Sequence, residues 1–329
     1  MYLCYKLDIV INCIKIYINN KNKYSIEYKI GQLKKIMSGR RILPIVLNYN
    51  QPEETDKIYE KLVKDGFEDI ISVDNGSDLM PQAKSANFIL PKNIKAVGQT
   101  KMALIYAMDY FPADYYWIIN TSSELLEEIN YKERLIESVN EIKSNGINFG
   151  IISPALISDE IIKHQEYKEN SRCNYSLCCW CECIAPLISH ELLEKTRISN
   201  SGYFETRAQR GWVTTHELGY EAARNELWWI LDHKLPVKWN RNLGYKKKVG
   251  GESLITYREE AGSEMKTILS DKYGKYWRIK LYLNFVKKTK EKKFPYKVIP
   301  YDPFGIWKMF YTRFHGEKTV KNLAYYCLV

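Results

Sequence analysis

No run of about 18 uncharged apolar residues occurs in the chain of 329 residues, so the sequence predicts no membrane-spanning helix. The apolar N-terminal stretch, residues 2–18, is interrupted by Lys6, Asp8 and Lys15, and it lacks a small-residue cleavage site. We therefore expect no secretory signal. The chain also has no internal repeat and no low-complexity tract. Its 45% hydrophobic and 27% charged residues are typical of a globular protein, for which we expect a cytoplasmic location.

The eight cysteines have the spacing of neither a disulfide framework nor a zinc site. A chain of this size buries a core without cross-links, and zinc sites usually present two separated pairs of ligands. Here five cysteines lie within residues 173–183, where Cys179, Cys181 and Cys183 alternate. On a strand, that alternation places the three thiols on one face, which favours buried thiols over a metal site.

The positive charge is concentrated towards the C-terminus. Residues 241–329 carry 20 Lys and Arg against 8 Asp and Glu, whereas the preceding 240 residues carry 29 against 31. This asymmetry predicts either an anionic partner, such as a membrane surface or a nucleic acid, or a solvated basic face. Residues 276–293 form a basic amphipathic stretch. Its apolar side chains are expected either to enter an anionic membrane surface, giving a peripheral membrane location, or to dock on the rest of the protein.

Apolar runs alternate with helical patterns from residue 42 onwards. Apolar runs predict buried strands at residues 42–47, 69–73, 87–90, 115–119, 149–153 and 177–184. Helical spacing predicts helices at residues 52–65, 100–110 and 221–234. Strands that alternate with helices in this way indicate an α/β sheet of nucleotide-binding topology.

Four short segments have the order and spacing of one enzyme family. They are residues 47–55 (LNYNQPEET), 73–77 (VDNGS), 93–107 and 117–125 (WIINTSSEL), and residues 248–253 (KVGGES) add a weaker fifth. Together they resemble nucleotide-sugar-dependent glycosyltransferases of the GT-A, family 2 type. The third segment resembles the family's link between the nucleotide and sugar subsites, and the fourth stands where the family carries its DxD motif.

The resemblance implies a GT-A fold, a Rossmann-like mixed sheet flanked by helices, over residues 37–260. Residues 1–36 are then an N-terminal extension, and residues 261–329 a basic, partly helical C-terminal region. The implied reaction moves a sugar from a nucleotide-diphosphate donor to an acceptor hydroxyl, with inversion. The nucleotide-sugar-binding residues that the resemblance implies are Asn48, Tyr49, Asn50, Glu53, Asp74, Asn75, Lys101, Asn120, Thr121 and Ser122.

Asp74 has two competing interpretations. At the end of a strand, its carboxylate is placed to accept a hydrogen bond from a base N–H, as in a pyrimidine reader. Alternatively, Asp74 forms the turn within VDNGS, because an Asp side chain readily bonds the backbone of its own turn.

The sequence departs from the family at the metal site. The family holds a divalent cation between two carboxylates, which bridges the phosphates of the donor. Here the aligned residues are Asn120, Thr121 and Ser122, all of them neutral, and Lys248 replaces the family histidine of the later loop. We expect no metal site and no divalent-metal requirement, unless Mg²⁺ or Mn²⁺ still binds weakly. Lys248 and its basic neighbours, Arg241, Lys246 and Lys247, would then meet the charge of the leaving group.

An inverting transfer needs a base that deprotonates the attacking hydroxyl. Glu221 and Glu226 are the carboxylates closest in sequence to the family position, and Glu221 is preferred because it follows a glycine at a predicted helix start. Glu217 and His216 are the remaining alternatives.

Three functions are consistent with this sequence. The first is a glycosyltransferase whose acceptor is a glycan or a lipid-linked glycan. The second is a glycosyltransferase that modifies a hydroxymethylated base in DNA, as in phages or viruses. The third is an inactive relative that binds a sugar nucleotide or a glycan.

Overall fold

A central β-sheet carries helices on both of its faces. The computed structural model describes residues 41–158, 165–169, 171, 173–200, 202–240, 243, 254–291 and 295–298. The strands are β1 (Ile42–Asn48), β2 (Ile71–Asp74), β3 (Phe88–Ile89), β4 (Tyr115–Asn120), β5 (Ser123–Glu124), β6 (Phe149–Ile157), β7 (Tyr175–Cys178), β8 (Leu187–Ser189), β9 (Trp228–Trp239) and β10 (Lys297–Val298). The helices are α1 (Pro52–Lys64), α2 (Lys95–Tyr110), α3 (Tyr131–Ser144), α4 (His190–Asn200), α5 (Gly211–Arg224), α6 (Leu254–Tyr273) and α7 (Trp277–Glu291).

The strand order is β10-β7-β9-β6-β8-β4-β1-β2-β3, with β5 paired to β9. β1 pairs in parallel with both β2 and β4, so the carboxyl ends of these three strands meet at one edge. β8 runs antiparallel between β4 and β6, which makes the sheet mixed. The predicted α/β class, a mixed sheet flanked by helices, is therefore confirmed.

The sheet is buried on both faces, as its apolar strands predict. On one face, Leu43, Ile45 and Leu47 of β1 pack with side chains of α2 and α5. On the other face, Val46 packs with side chains of α1 and α3, including Leu62. Burying such a side chain completely stabilises the fold by about 1.5–3 kcal/mol. The ends of the strands are therefore anchored by a sheet that is packed on both faces.

The helix predicted at residues 221–234 is wrong. The helix α5 ends at Arg224, and the strand β9 begins at Trp228. Between them, Glu226 has a φ of +58°, which is incompatible with a right-handed helix. Trp228 and Trp229 then enter the sheet, where their bulky side chains pack on opposite faces.

The strand predicted at residues 177–184 ends early, at Cys178. β7 lies beside β9, whereas the next strand, β8, lies between β6 and β4. The chain must therefore pass β9 and β6, which no continuous strand can do. As a result Cys179, Cys181 and Cys183 do not share the face of a strand. Cys179 and Cys181 are nonetheless buried thiols, and no group of metal-binding side chains lies among the described residues.

The C-terminal region is partly helical, as predicted, and three apolar side chains of α7 are already covered, whereas Leu283 is 56% exposed. Trp277, Leu281 and Phe285 of α7 are at most 3% exposed, because they pack against the rest of the protein. Of the two expectations for this stretch, docking on the rest of the protein therefore applies to these three side chains. They are not available to enter a membrane. None of the helices in the described ranges combines the length and apolar character that a bilayer crossing requires.

The helix α6 crosses the predicted domain boundary at residue 260 without a break. It packs on α5, where Lys272 of α6 forms an ion pair with the buried Glu217. From Ile42 onwards the described residues form one compact unit. The proposed N-terminal extension lies outside the described residues.

Candidate functional site

A cleft of about 460 Å³ opens where β1, β2 and β4 end. Its floor is formed by the loops that follow these strands. The opposite wall comes from the start of α5, which contributes Trp212, and from the first turn of α6, which contributes Tyr257 and Arg258. Strand ends of an open parallel sheet are the usual place for a ligand. The cleft unites all four of the main sequence segments that carry the family resemblance: it is lined by Tyr49, Asn50, Asn75, Asn93, Lys95, Asn120, Thr121 and Ser122.

The carboxylate of Asp74 forms its hydrogen bonds within the fold. It is fully buried, and its carboxylate accepts hydrogen bonds from Asn48 Nδ2 at 2.8 Å, from Ser77 N at 2.8 Å and from Ser77 Oγ at 2.7 Å. Asn48 is equally buried, and its Oδ1 accepts from Gln51 N at 3.0 Å. The turn-forming interpretation therefore describes the geometry of Asp74. Neither Asp74 nor Asn48 lines the cleft.

Asn50 organises the lip of the cleft. Its Oδ1 accepts from three consecutive backbone N–H groups, those of Asp78 at 3.1 Å, Leu79 at 3.0 Å and Met80 at 3.3 Å. Its Nδ2 donates to Asp78 Oδ1 at 2.9 Å, and Tyr49 Oη donates to the same oxygen at 3.0 Å. These bonds hold Leu79 and Met80 at the cleft with 55% and 39% of their surface exposed.

We expect Asn50→Ala to lower the free energy of unfolding by about 2–3 kcal/mol. The substitution leaves three N–H groups without their acceptor, and alanine is strained at the φ of +58° that Asn50 adopts. Asn50→Gly loses the same hydrogen bonds but tolerates this φ, so its loss should be about 1 kcal/mol smaller. Urea denaturation of the two variants measures this difference. Equal losses would show that backbone strain plays no part.

The other implied binding residues have separate placements. Asn75 accepts from Ile94 N at 3.0 Å and donates to Asn93 Oδ1 at 3.0 Å, so it joins the loops after β2 and β3. Lys101 donates to the carbonyl of Phe204 at 3.2 Å and lies outside the cleft lining, as does Glu53, which is exposed on α1. Their roles in binding stay predictions.

Asn120, the last residue of β4, lines the cleft together with Thr121 and Ser122, which follow it. Asn120 Nδ2 donates to the carbonyl groups of Cys183 at 2.9 Å and Ile184 at 3.2 Å. An amide and two hydroxyl groups offer no charged oxygen, whereas Mg²⁺ and Mn²⁺ sites are built mainly on carboxylates. This donor set does not fit a divalent cation beside a diphosphate.

Cationic side chains outnumber acidic ones along the cleft. Lys95, Arg210 and Arg258 line it, whereas Glu182 is the only carboxylate that does so among the described residues. The charge of Arg210 is balanced by ion pairs with Glu260 and Glu264 of α6. Lys248 lies outside the described residues, and Leu254, the first residue described after it, begins the helix that carries Arg258.

The carboxylates predicted as bases lie outside the cleft lining. Glu221 is 1% exposed and lies 3.9 Å from Arg224. Glu226 lines a separate apolar cavity of about 20 Å³ beside Trp228 and Phe285. Glu217 accepts from Glu205 N at 2.9 Å and pairs with Lys272. Burial raises the pKa of Glu217, although Lys272 opposes the shift.

His216, the remaining alternative, is enclosed by aromatic rings. Its ring centroid lies 5.2 Å from those of Trp180 and Trp277, and its Nδ1 is 2.9 Å from the carbonyl oxygen of Trp212. Burial lowers the pKa of His216 to about 4, and the charge of Arg278 adds to this effect. The imidazole is therefore neutral at physiological pH.

His216 should make the protein acid-sensitive. Its folded-state pKa of about 4 lies below the ordinary value of 6.5, so the unfolded chain binds the proton first as the pH falls. Stability that is complete above pH 6.5 should decline towards pH 4, by about 3 kcal/mol in total. Urea denaturation at several pH values should show a shallower decline for His216→Gln. The exposed His190→Gln is the control, and an unchanged slope in His216→Gln would contradict the assignment.

No protein-family model matches the sequence, and no curated protein matches it either. Its structure is similar to those of GalNAc-T7 with UDP, GalNAc and Mn²⁺ (10% identity, 62% of this chain and 43% of that chain, TM-score 0.45), S. aureus TarS 1–349 (11%, 76% and 81%, 0.43) and A197 from STIV (12%, 60% and 84%, 0.37). The chain thus spans less than half of the GalNAc-T7 structure. Similarity at this level identifies no function.

Proposed function

We propose that the protein is a glycosyltransferase of the GT-A type, which transfers a sugar from a nucleotide-diphosphate donor to an acceptor hydroxyl. The observation that supports this proposal best is that one cleft, at the shared edge of β1, β2 and β4, is lined by residues of four segments that resemble family 2 enzymes. These segments are separated in sequence by up to about 70 residues, and only the fold unites them.

The donor would lie along the strand ends. Its nucleoside half would occupy the side of Tyr49, Leu79 and Met80. Its diphosphate would lie over Asn120–Ser122, where Lys95, Arg258 and, as the sequence predicts, Lys248 supply positive charge. Cations and backbone donors held in place before the reaction stabilise a departing diphosphate effectively. No divalent metal is needed in this scheme.

Glu182 is the carboxylate best placed to act as the base. It would take the proton of the acceptor hydroxyl, whose oxygen attacks the anomeric carbon. As the new bond forms, the bond from that carbon to the phosphate oxygen breaks, and the nucleoside diphosphate leaves with the electron pair. The neighbouring Cys183 is a poor alternative, because burial raises the pKa of its thiol to about 12. Glu221 and Glu226 are less well placed, since neither lines the cleft.

The acceptor is proposed to be a glycan or a lipid-linked glycan. Trp212 and Tyr257 line the cleft, and an acceptor sugar would pack against these aromatic side chains beside Arg210, whose guanidinium lies over the Tyr257 ring. The argument for a nucleic-acid acceptor rests on the charge of the basic C-terminal region alone.

The test is an assay of the purified protein with a panel of nucleotide sugars, in which transfer to glycan acceptors and hydrolysis to free sugar are both measured. Release of nucleoside diphosphate supports the proposal. If a nucleoside diphosphate binds but no donor is consumed, the protein is the inactive sugar-nucleotide-binding relative. If the protein binds duplex DNA with an affinity that falls steeply as the salt concentration rises, a nucleic-acid acceptor would be favoured instead.

A further inference from the structure

Gln51, the residue between β1 and α1, carries a buried polar atom that the fold does not satisfy. The residue lines the cleft and is only 8% exposed. Its Oε1 has no hydrogen-bond partner among the described residues. Buried polar side-chain atoms are nearly always paired in folded proteins, so an unpaired one calls for an explanation.

The structural duties of Gln51 are all carried by its backbone. Gln51 N donates to Asn48 Oδ1 at 3.0 Å, and its carbonyl oxygen accepts from Thr55 N at 3.1 Å and Thr55 Oγ1 at 2.7 Å. Although Gln51 is the N-cap of α1, its side chain makes no capping hydrogen bond. Replacement of the amide would leave these backbone contacts in place.

A second glutamine in the same cleft shows what a structural amide looks like here. Gln99 is 5% exposed, and its Nε2 donates to the carbonyl groups of Asn48 at 2.9 Å and Val73 at 3.2 Å. Those two bonds tie α2 to the ends of β1 and β2. Gln51 and Gln99 are therefore alike in residue type, burial and location, but only Gln99 has a structural task for its amide.

The other polar side chains near Gln51 have little capacity left for a ligand. Asp74 accepts three hydrogen bonds inside its turn, and Asn50 uses both ends of its amide to hold residues 78–80. Tyr49 and the exposed Leu79 and Met80 border the same end of the cleft with aromatic and apolar surface. This end is therefore suited to a flat, largely apolar group that needs one hydrogen-bond acceptor.

We propose that Gln51 reads the nucleoside half of the donor, with Oε1 accepting a hydrogen bond from a base N–H or a ribose hydroxyl. The inference rests on the proposed function, since it takes the ligand to be a nucleotide. The terminal torsion of a glutamine side chain is broad, so rotation of the amide presents Oε1 to the ligand at little cost. Binding then satisfies an acceptor that is unpaired before the ligand enters.

The first experiment compares the full-length wild type with Gln51→Met and Gln99→Met. Calorimetry with UDP, GDP, CDP and ADP identifies the preferred nucleotide, and urea denaturation reports stability. Gln51→Met should bind that nucleotide about tenfold more weakly, which corresponds to about 1.4 kcal/mol. Its stability should be unchanged or higher, because the unpaired acceptor is removed. Gln99→Met should be clearly less stable than the wild type.

Analogues of the preferred nucleotide identify the group that is read. If Gln51 reads the base, an analogue methylated at the hydrogen-bonding base nitrogen should lose about tenfold in affinity for the wild type and nothing further for Gln51→Met. If it reads the ribose, 2′-deoxy or 3′-deoxy analogues should show that pattern instead. Either pattern supports the inference.

Three outcomes would overturn it. If Gln51→Met binds the nucleotide as tightly as the wild type does, Gln51 does not contact the nucleoside, and the proposed function is unaffected. A loss of stability in Gln51→Met as large as that in Gln99→Met would show that the amide is structural. A wild type that binds none of the four nucleoside diphosphates would remove both the inference and the proposed function.

Discussion

Glu182→Gln is expected to lower kcat for sugar transfer by about 10²–10⁴-fold, the range over which a positioned general base contributes. The amide keeps the size of the side chain but cannot take the proton of the acceptor hydroxyl. KM for the donor should change little, because the proposed task of Glu182 concerns the acceptor. The acidic limb of the pH–rate profile should also disappear, since a base must be deprotonated to act.

The position of Glu182 is fixed by its backbone. Its N–H donates to Oε1 of the buried Gln165 at 2.8 Å, and Gln165 Nε2 returns a hydrogen bond to its carbonyl at 3.3 Å. Immediately after it, the carbonyl of Cys183 accepts from Asn120. Two amide side chains thus hold the backbone of this segment beside the cleft, so the residue that carries the proposed base is in place before any substrate binds.

Two variants complete the test of Glu182. Glu127→Gln is the matched control, because Glu127 is an exposed carboxylate that pairs with Lys64 at 2.7 Å, and it should retain full activity. Glu221→Gln tests the base that the sequence favours. If Glu221→Gln loses activity while folded and Glu182→Gln does not, the base lies on α5 and the present assignment is wrong.

The fold was largely predictable because its signals are local. β1 and β4 are continuous apolar runs, and α1 begins with Pro52 and two acidic residues, all of which are short-range features. The errors arose where tertiary structure decides. The paired tryptophans at residues 228–229 suit either a buried helix or a buried strand, and only the sheet selects the strand. The early end of β7 follows from strand order, which adjacent residues do not encode.

The site was less predictable than the fold, because a motif does not reveal how its side chains are used. Residues 73–77 are compatible with either a base reader or a turn, and the choice depends on Asn48, which is 26 positions away from Asp74. Glu182 belongs to no recognisable motif and reaches the cleft only because the chain crosses between β7 and β8. Gln51 lies between Asn50 and Pro52, two residues that contribute to the family resemblance. It is distinguished from its neighbours only in the structure, where its Oε1 has no hydrogen-bond partner among the described residues.

Transfer activity should survive EDTA without loss. A hard dication takes oxygen ligands that are mostly charged, whereas Asn120, Thr121 and Ser122 stand where the proposed resemblance would place carboxylates. Among the described residues, no three His, Cys, Asp or Glu side chains are grouped closely enough to hold a metal ion. Neutral oxygen donors attract Mg²⁺ or Mn²⁺ only weakly, so we expect the diphosphate to be held without a metal ion.

Lysine and arginine should supply the missing charge. A positioned donor to developing negative charge is typically worth about 2.7–4 kcal/mol in the activation barrier. Lys248→Ala, at the position where the proposed resemblance would place a histidine, should therefore lower kcat by roughly 100-fold or more, and Arg258→Gln should act in the same direction. Lys57→Ala is a suitable control, because Lys57 is exposed on α1 and does not line the cleft. Activity that is lost in EDTA and restored by Mn²⁺ would refute metal independence. The search for the ligand would then turn to Glu182 in the cleft and to Glu124, which pairs with Lys238 at 3.0 Å just beyond Ser122.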